Sequence, residues 1–272
     1  MDRVRSLVLM NVATLHHDAS PSSLRGLVTT PQRGLVEVAT LASLYGVYEL
    51  VRGQAPATLA AARAHTDTIV SLERSLHFYG EHAFQRAIHA LPGLPTLLGI
   101  AYIVLHFLGT AAALVWIHRR HRGAFPLVRN TLIVSTAVAL VVYVFFPVAP
   151  PRLAGLGFAD TVTDGAHVNL SSDLLGSLYN PFAAVPSLHF GYALLVGVAI
   201  AMLAGPRWAR ALGWAYPALM LLTIVSTGNH FFFDAITGGI VIVAAFLVAR
   251  RFTAAAPAPG WRARPGSAVA SC

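Results

Sequence analysis

Two short groups of residues in this chain could act on phosphorus. One is Pro186-Ser187-Leu188-His189; the other is His230-Phe231-Phe232-Phe233-Asp234. A histidine and an aspartate four positions apart share one helix face. The carboxylate can then hold one ring N–H and fix the tautomer, leaving the other nitrogen as a nucleophile. A second imidazole at His189 could give a proton to a leaving oxygen. Ser187, behind Pro186, stands where a helix would open, so its hydroxyl and the first free amides could face an anion. Arg152 closes the stiff stretch Phe146-Pro147-Val148-Ala149-Pro150-Pro151-Arg152 and could fork onto phosphate oxygens. Each piece also has a plain reading: a satisfied core histidine, a packing hydrogen bond, a turn that ends a helix. The reactive reading rests on their joint arrangement.

The elements that must position these groups are membrane spans. Of 272 residues, 56% are hydrophobic and only 11% charged, against about 25% charged in an ordinary soluble domain. A span needs roughly 20 mostly apolar residues. Six stretches qualify, at about 35–51, 94–117, 131–148, 187–203, 209–227 and 231–248, the first being the most polar. The expected fold is therefore all-α, a polytopic bundle of six transmembrane helices. The divisions are a cytoplasmic N-terminal segment over 1–33, the six-span unit over 34–252 and a disordered cytoplasmic tail over 253–272, rich in Ala, Pro, Gly and Arg.

Charge sets the expected sidedness. All 19 basic residues are arginine, and the formal net charge is +8. Fourteen arginines precede the first span, follow the last, or sit in the second-to-third and fourth-to-fifth loops; only Arg52, Arg63, Arg74, Arg86 and Arg152 fall on the other side. Basic loops stay cytoplasmic. Both termini are then cytoplasmic, and the longer loops over 53–93 and 149–186 face outward, in the plasma (cytoplasmic) membrane. Scattered over short loops, the arginines suit anionic lipid and not nucleic acid. With this topology His189 and His230 head two helices that begin on the same side.

In the first outer loop Ile69, Leu72, Leu76, Tyr79, Ala83, Ala87 and Leu91 recur at helical spacing, with Arg74, Glu81 and Arg86 on other faces. This predicts an amphipathic helix on the outer membrane surface, or one covering the bundle top. The histidines there, at 65, 77, 82 and 89, show no zinc-protease spacing. No metal and no cofactor is expected. Phe231–Phe233 reads as packing against lipid or core, and Gly238-Gly239 as a close helix contact.

At these residues the chain resembles the type-2 phosphatidic acid phosphatase superfamily. Its second motif, Pro-Ser-Gly-His, reads Pro-Ser-Leu-His at 186–189; its third, ending His-x-x-x-Asp, reads His230 to Asp234. The family's Lys-x6-Arg-Pro motif has no counterpart, since the chain lacks lysine; Pro150-Pro151-Arg152 stands in that stretch. Thr223-Ile224 stand where the third motif carries Ser-Arg. These departures resemble the inositolphosphotransferase branch, similar to fungal inositol phosphorylceramide synthase. The likeness there lies in Tyr45-x-x-Tyr48-x-x-x-Arg52, Ala149-Pro150-Pro151-Arg152, Pro186-Ser187-Leu188-His189 and Asn229-His230. The resemblance implies a six-span fold and a phosphohistidine on His230, oriented by Asp234, with His189 as acid. Arg152 and Arg52 would bind phosphate. The expected partners are a lipid phosphate substrate, an alcohol or water acceptor, and membrane lipids. Two alternatives stay open: a generic lipid-phosphate or polyprenyl-phosphate phosphatase, and a lipid or anion transporter without catalysis.

Overall fold

The computed structural model describes residues 58–165 and 181–253, with a few helical positions between 35 and 47. Among the described residues the chain is helical, with no strand beyond one bridge between Val148 and Ala183. The expected first span, Arg52, the N-terminal segment and the tail beyond Thr253 lie largely or wholly outside them.

Four helices are long and apolar enough to cross a membrane. They are α3 (Leu94–Arg120), α4 (Phe125–Phe145), α6 (Arg207–Ser226) and α7 (Phe232–Phe252). A fifth, α5 (Leu188–Leu203), is as apolar but shorter. These helices fit an integral membrane protein. Their outer faces carry exposed Phe107, Leu108, Val141, Leu212 and Ile240, which a bilayer would cover. Helix α4 starts six residues before the expected 131, because Pro126 can sit in a first turn. It ends at Phe145 because Pro147 disfavours helical backbone in the residue before it.

The spans meet through small residues. A β-carbon on Gly197 of α5 would lie 2.6 Å from the Gly213 carbonyl of α6, so the two backbones touch there. On α7, Gly238 abuts the Ser187 carbonyl at the mouth of α5. The expected close contact at Gly238-Gly239 is thus present, and it joins the two motif-bearing helices. Van der Waals packing of this kind is what holds helices together in lipid.

The segment expected on the outer side is two helices, not one. The amphipathic pattern over 69–91 divides into α1 (Leu59–Ser75) and α2 (Glu81–His89). The break lies where His77 takes a left-handed backbone (φ 61°) and Gly80 caps α2. Leu72, Leu76 and Leu91 are exposed, whereas Glu73, Glu81 and Gln85 are buried. The exposed leucines are free to meet a membrane surface, and the buried polar residues form a second face that apolar spacing does not announce. The polar residues turn inward because donors and acceptors await them there.

Glu73 and Glu81 accept from amides at the start of α7, while Gln85 and other side chains of these helices bond to the loop that follows α4. Thr66 Oγ1 donates to Ala149 O (2.9 Å), Arg63 Nε to Leu153 O (2.9 Å) and Gln85 Nε2 to Ala159 O (3.1 Å), while Ala159 N donates to Gln85 Oε1 (3.0 Å). His65 pairs with Pro147 O and His82 with Leu156 O, both at 2.7 Å. The histidines of this region tie the two outer helices to the segment that carries Arg152.

Candidate active site

The residues singled out in the sequence come from three separate stretches, and the fold brings most of them to one end of the bundle. Ser187 N donates to Asp234 O at 2.9 Å, pinning the start of α5 to the first turn of α7. His189 and His230 then face each other with ring centroids 5.4 Å apart. His230 Nδ1 lies 3.1 Å from Asp234 Oδ2, so the i, i+4 spacing becomes a buried contact. Asp234 Oδ2 also accepts from Phe231 N (2.9 Å). Asp234 Oδ1 is buried with no partner. The carboxylate is favoured at a helix start, where the backbone dipoles point positive.

Arg152 reaches the same end by way of a tight turn. Its backbone amide donates to Gly228 O (2.9 Å), and its Nε donates to Asn229 Oδ1 (3.0 Å), the neighbour of His230. Its Nη1 pairs with Asp160 (3.2 Å). Gly228 has φ +71°, and a β-carbon there would fall 2.7 Å from Ala159 O and 3.1 Å from Gln85 Nε2. Only glycine lets the loop lie so close over the 226–230 turn. Arg152 is thus fixed beside the imidazole in a guanidinium geometry suited to phosphate.

Ser187 is fully buried, and its hydroxyl oxygen accepts from Phe190 N (3.3 Å), acting as the N-cap of α5. Phe231 is buried against Ile69, Val70 and Val148, so the aromatic run packs into the core on that side.

Several residues at this site carried no role in the sequence reading. His106 sits on α3 where the helix widens to a π-turn over Leu105–Gly109. Its ring centroid is 3.9 Å from that of His189, and Tyr102, one turn earlier, stacks on His189 at 4.4 Å. The α3 face therefore forms a slot for the second-motif imidazole. Widened turns of this kind recur at functional sites. The signal in the sequence was a lone ionisable residue inside the longest apolar run. Asn229, Asp160 and Gln85 hold Arg152 and its loop. Glu73 and Glu81 reach α7 itself: Phe233 N donates to Glu73 Oε1 (2.8 Å) and Phe232 N to Glu81 Oε1 (2.9 Å).

The family model of the PAP2 superfamily matches residues 67–248. The chain belongs to the PAP2 superfamily. Neither the curated proteins nor the solved structures contain a significant match to it. Membership supports a phosphatase-type function on lipid phosphates, and the matched region takes in part of α1, all of α2 to α6, most of α7 and His189, His230, Asp234, Ser187 and Arg152.

Proposed function

We propose that this PAP2 superfamily member is a membrane phosphotransferase or phosphatase that works through a phosphohistidine on His230. The observation that carries this reading is the meeting of His189, His230, Asp234 and Arg152 at one end of the bundle. With Nδ1 of His230 on Asp234, Nε2 is the nitrogen that attacks phosphorus. The bond from phosphorus to the lipid alcohol breaks, and His189 donates the proton that the departing oxygen takes. Water or an acceptor alcohol then attacks the phosphohistidine and returns a proton to His189, which frees His230. A reacting nucleophile sits roughly 3–3.5 Å from its target in a near-attack pose. With the ring centroids 5.4 Å apart, the two imidazoles must part for a phosphoryl group to enter between them.

Arg152 offsets charge on the non-reacting phosphate oxygens, with Arg52 assigned the same task. Ser187 adds its hydroxyl proton at the mouth of α5. The charge bias of the loops supports a site on the outward face with both termini in the cytoplasm, and the apolar runs support a bundle of six spans. Within this class we favour transfer of an inositol-phosphate-type head group over simple hydrolysis. The support is the Ala149-Pro150-Pro151-Arg152 and Asn229-His230 pattern, which the structure joins through the Arg152–Asn229 bond.

The test is to incubate purified protein with phosphatidylinositol or phosphatidic acid labelled on phosphorus. Quenched samples should carry acid-labile, base-stable label, absent from a folded His230→Ala variant. Products should divide between free phosphate and transferred head group according to the acceptor supplied. Label that survives in His230→Ala refutes the nucleophile. Lipid movement across a vesicle without any product favours transport.

A further inference from the structure

Three consecutive amides open α7, and each donates to a different carboxylate. Phe231 N goes to Asp234, Phe232 N to Glu81 and Phe233 N to Glu73, at 2.9, 2.9 and 2.8 Å. Asp234 is local to the helix. Glu73 and Glu81 arrive from α1 and α2, and both are completely buried. A helix start attracts a carboxylate. Three of them in one buried corner repel one another unless a proton or a cation intervenes. The nearby Arg74 lies instead over the Tyr79 ring, 4.9 Å from its centroid.

The hydrogen bonds of the two glutamates are unequal. Glu81 uses both oxygens as acceptors, Oε1 from Phe232 N and Oε2 from Gly80 N (3.0 Å). Glu73 accepts through Oε1 alone, and its Oε2 is buried without a donor. An orphaned carboxylate oxygen beside a second carboxylate is costly, and a proton placed on it becomes a hydrogen-bond donor to Glu81.

We propose that Glu73 and Glu81 are positioning residues for the His230–Asp234 pair. Glu73 carries the proton and donates it in a hydrogen bond to Glu81, and together they clamp the first turn of α7 to the outer helices. The proposal rests on the phosphohistidine reading only for its kinetic arm. Burial first, and then the Glu81 charge, push the Glu73 carboxyl up to about 9. Asp234 on α7 adds to this rise and the Phe233 amide opposes it. Tyr79, between α1 and α2, is also pushed up, by burial and by Glu81. Above pH 9 Glu73 loses its proton, the two glutamates repel, and the clamp opens.

The experiment uses the full chain in detergent or bilayer. In wild type, kcat should fall on an alkaline limb centred near pH 9. Glu73→Gln keeps an acceptor for Phe233 N and a donor for Glu81. It should hold kcat within about threefold of wild type and lose that limb. Glu73→Ala and Glu81→Gln break the clamp and should lower kcat by about tenfold to a hundredfold with KM nearly unchanged, the cost of a misplaced reacting group. An inactive Glu73→Gln, an unchanged alkaline limb in it, or a wild-type Glu81→Gln overturns the proposal. Infrared difference spectra read the pair without turnover. A protonated-carboxyl band that titrates near pH 9 should be present in wild type and missing from Glu73→Gln. Its absence from wild type refutes the shared proton. Failure to process any lipid phosphate refutes the functional reading alone.

Discussion

Gly238 offers a test of how tightly the two motifs must be joined. It lies one turn beyond Asp234 on α7, against the backbone of Ser187. A β-carbon there would overlap the Ser187 carbonyl oxygen and come within 3.1 Å of Ser187 C and 3.3 Å of Ser187 N. None of these atoms belongs to a flexible side chain, so the helices themselves must part. A shift of roughly 1 Å restores ordinary contact distances. Such a shift strains the Ser187 N to Asp234 O bond and widens the 5.4 Å gap between His189 and His230. Overpacking of this kind costs about 1–3 kcal/mol of stability, and a misplacement of about 1 Å at the reacting groups costs on the order of 10²-fold in rate. The neighbouring glycine is the control. At Gly239 a β-carbon meets nothing nearer than Phe190 Cε1 at 3.4 Å, an ordinary contact. Gly238→Ala should therefore lose about a hundredfold in kcat/KM and melt earlier in detergent, while Gly239→Ala stays near wild type in both. Equal behaviour of the two variants would show that the Ser187–α7 contact does not set the geometry of the site.

Asp234→Asn should slow turnover by about 10⁴-fold at unchanged fold, since the tautomer-fixing carboxylate of serine-protease triads is worth about that factor. Single-turnover kinetics check this, and a wild-type rate would remove Asp234 from the mechanism. Arg152→Lys keeps the charge but loses the fork held by Asn229 and Asp160; kcat/KM should fall by about tenfold to a hundredfold, and full activity would mean that the guanidinium shape is not used. Vanadate, a five-coordinate phosphate mimic, should inhibit competitively with lipid phosphate, because transition-state mimics bind tighter than substrate. Indifference to it would favour a transport role.

The contact between His230 and Asp234 was legible because its spacing is local. His230 and Asp234 need only one helical turn to meet, and the arginine distribution aligned the starts of the two helices that carry His189 and His230. The apolar runs marked the four candidate spans and the shorter apolar helix to within about a turn at either end, except the start of α4, which lies six residues earlier. The buried polar face over 59–89 was not legible. Apart from Gly80 N, the hydrogen-bond partners of Glu73, Glu81 and Gln85 lie 74 to 160 positions away, where no local pattern can announce them. The break at His77 and Gly80 has a local cue in the glycine, but the left-handed backbone at a histidine has none. His106 was visible as an isolated titratable group in an apolar run. Its contact with His189 depends on how α3 crosses α5, which sequence spacing does not encode.

The bonds from Glu73 and Glu81 to α7 also dictate an order of events during biosynthesis. Residues 73 and 81 leave the ribosome some 150 to 160 positions ahead of the amides they will cap. Until the final hydrophobic segment is delivered, both acids lack those donors and must stay hydrated or protonated. A nascent or truncated product is thereby marked by two unsatisfied carboxylates on its outer helices. The contact of both glutamates with α7 can form only once α7 itself is present.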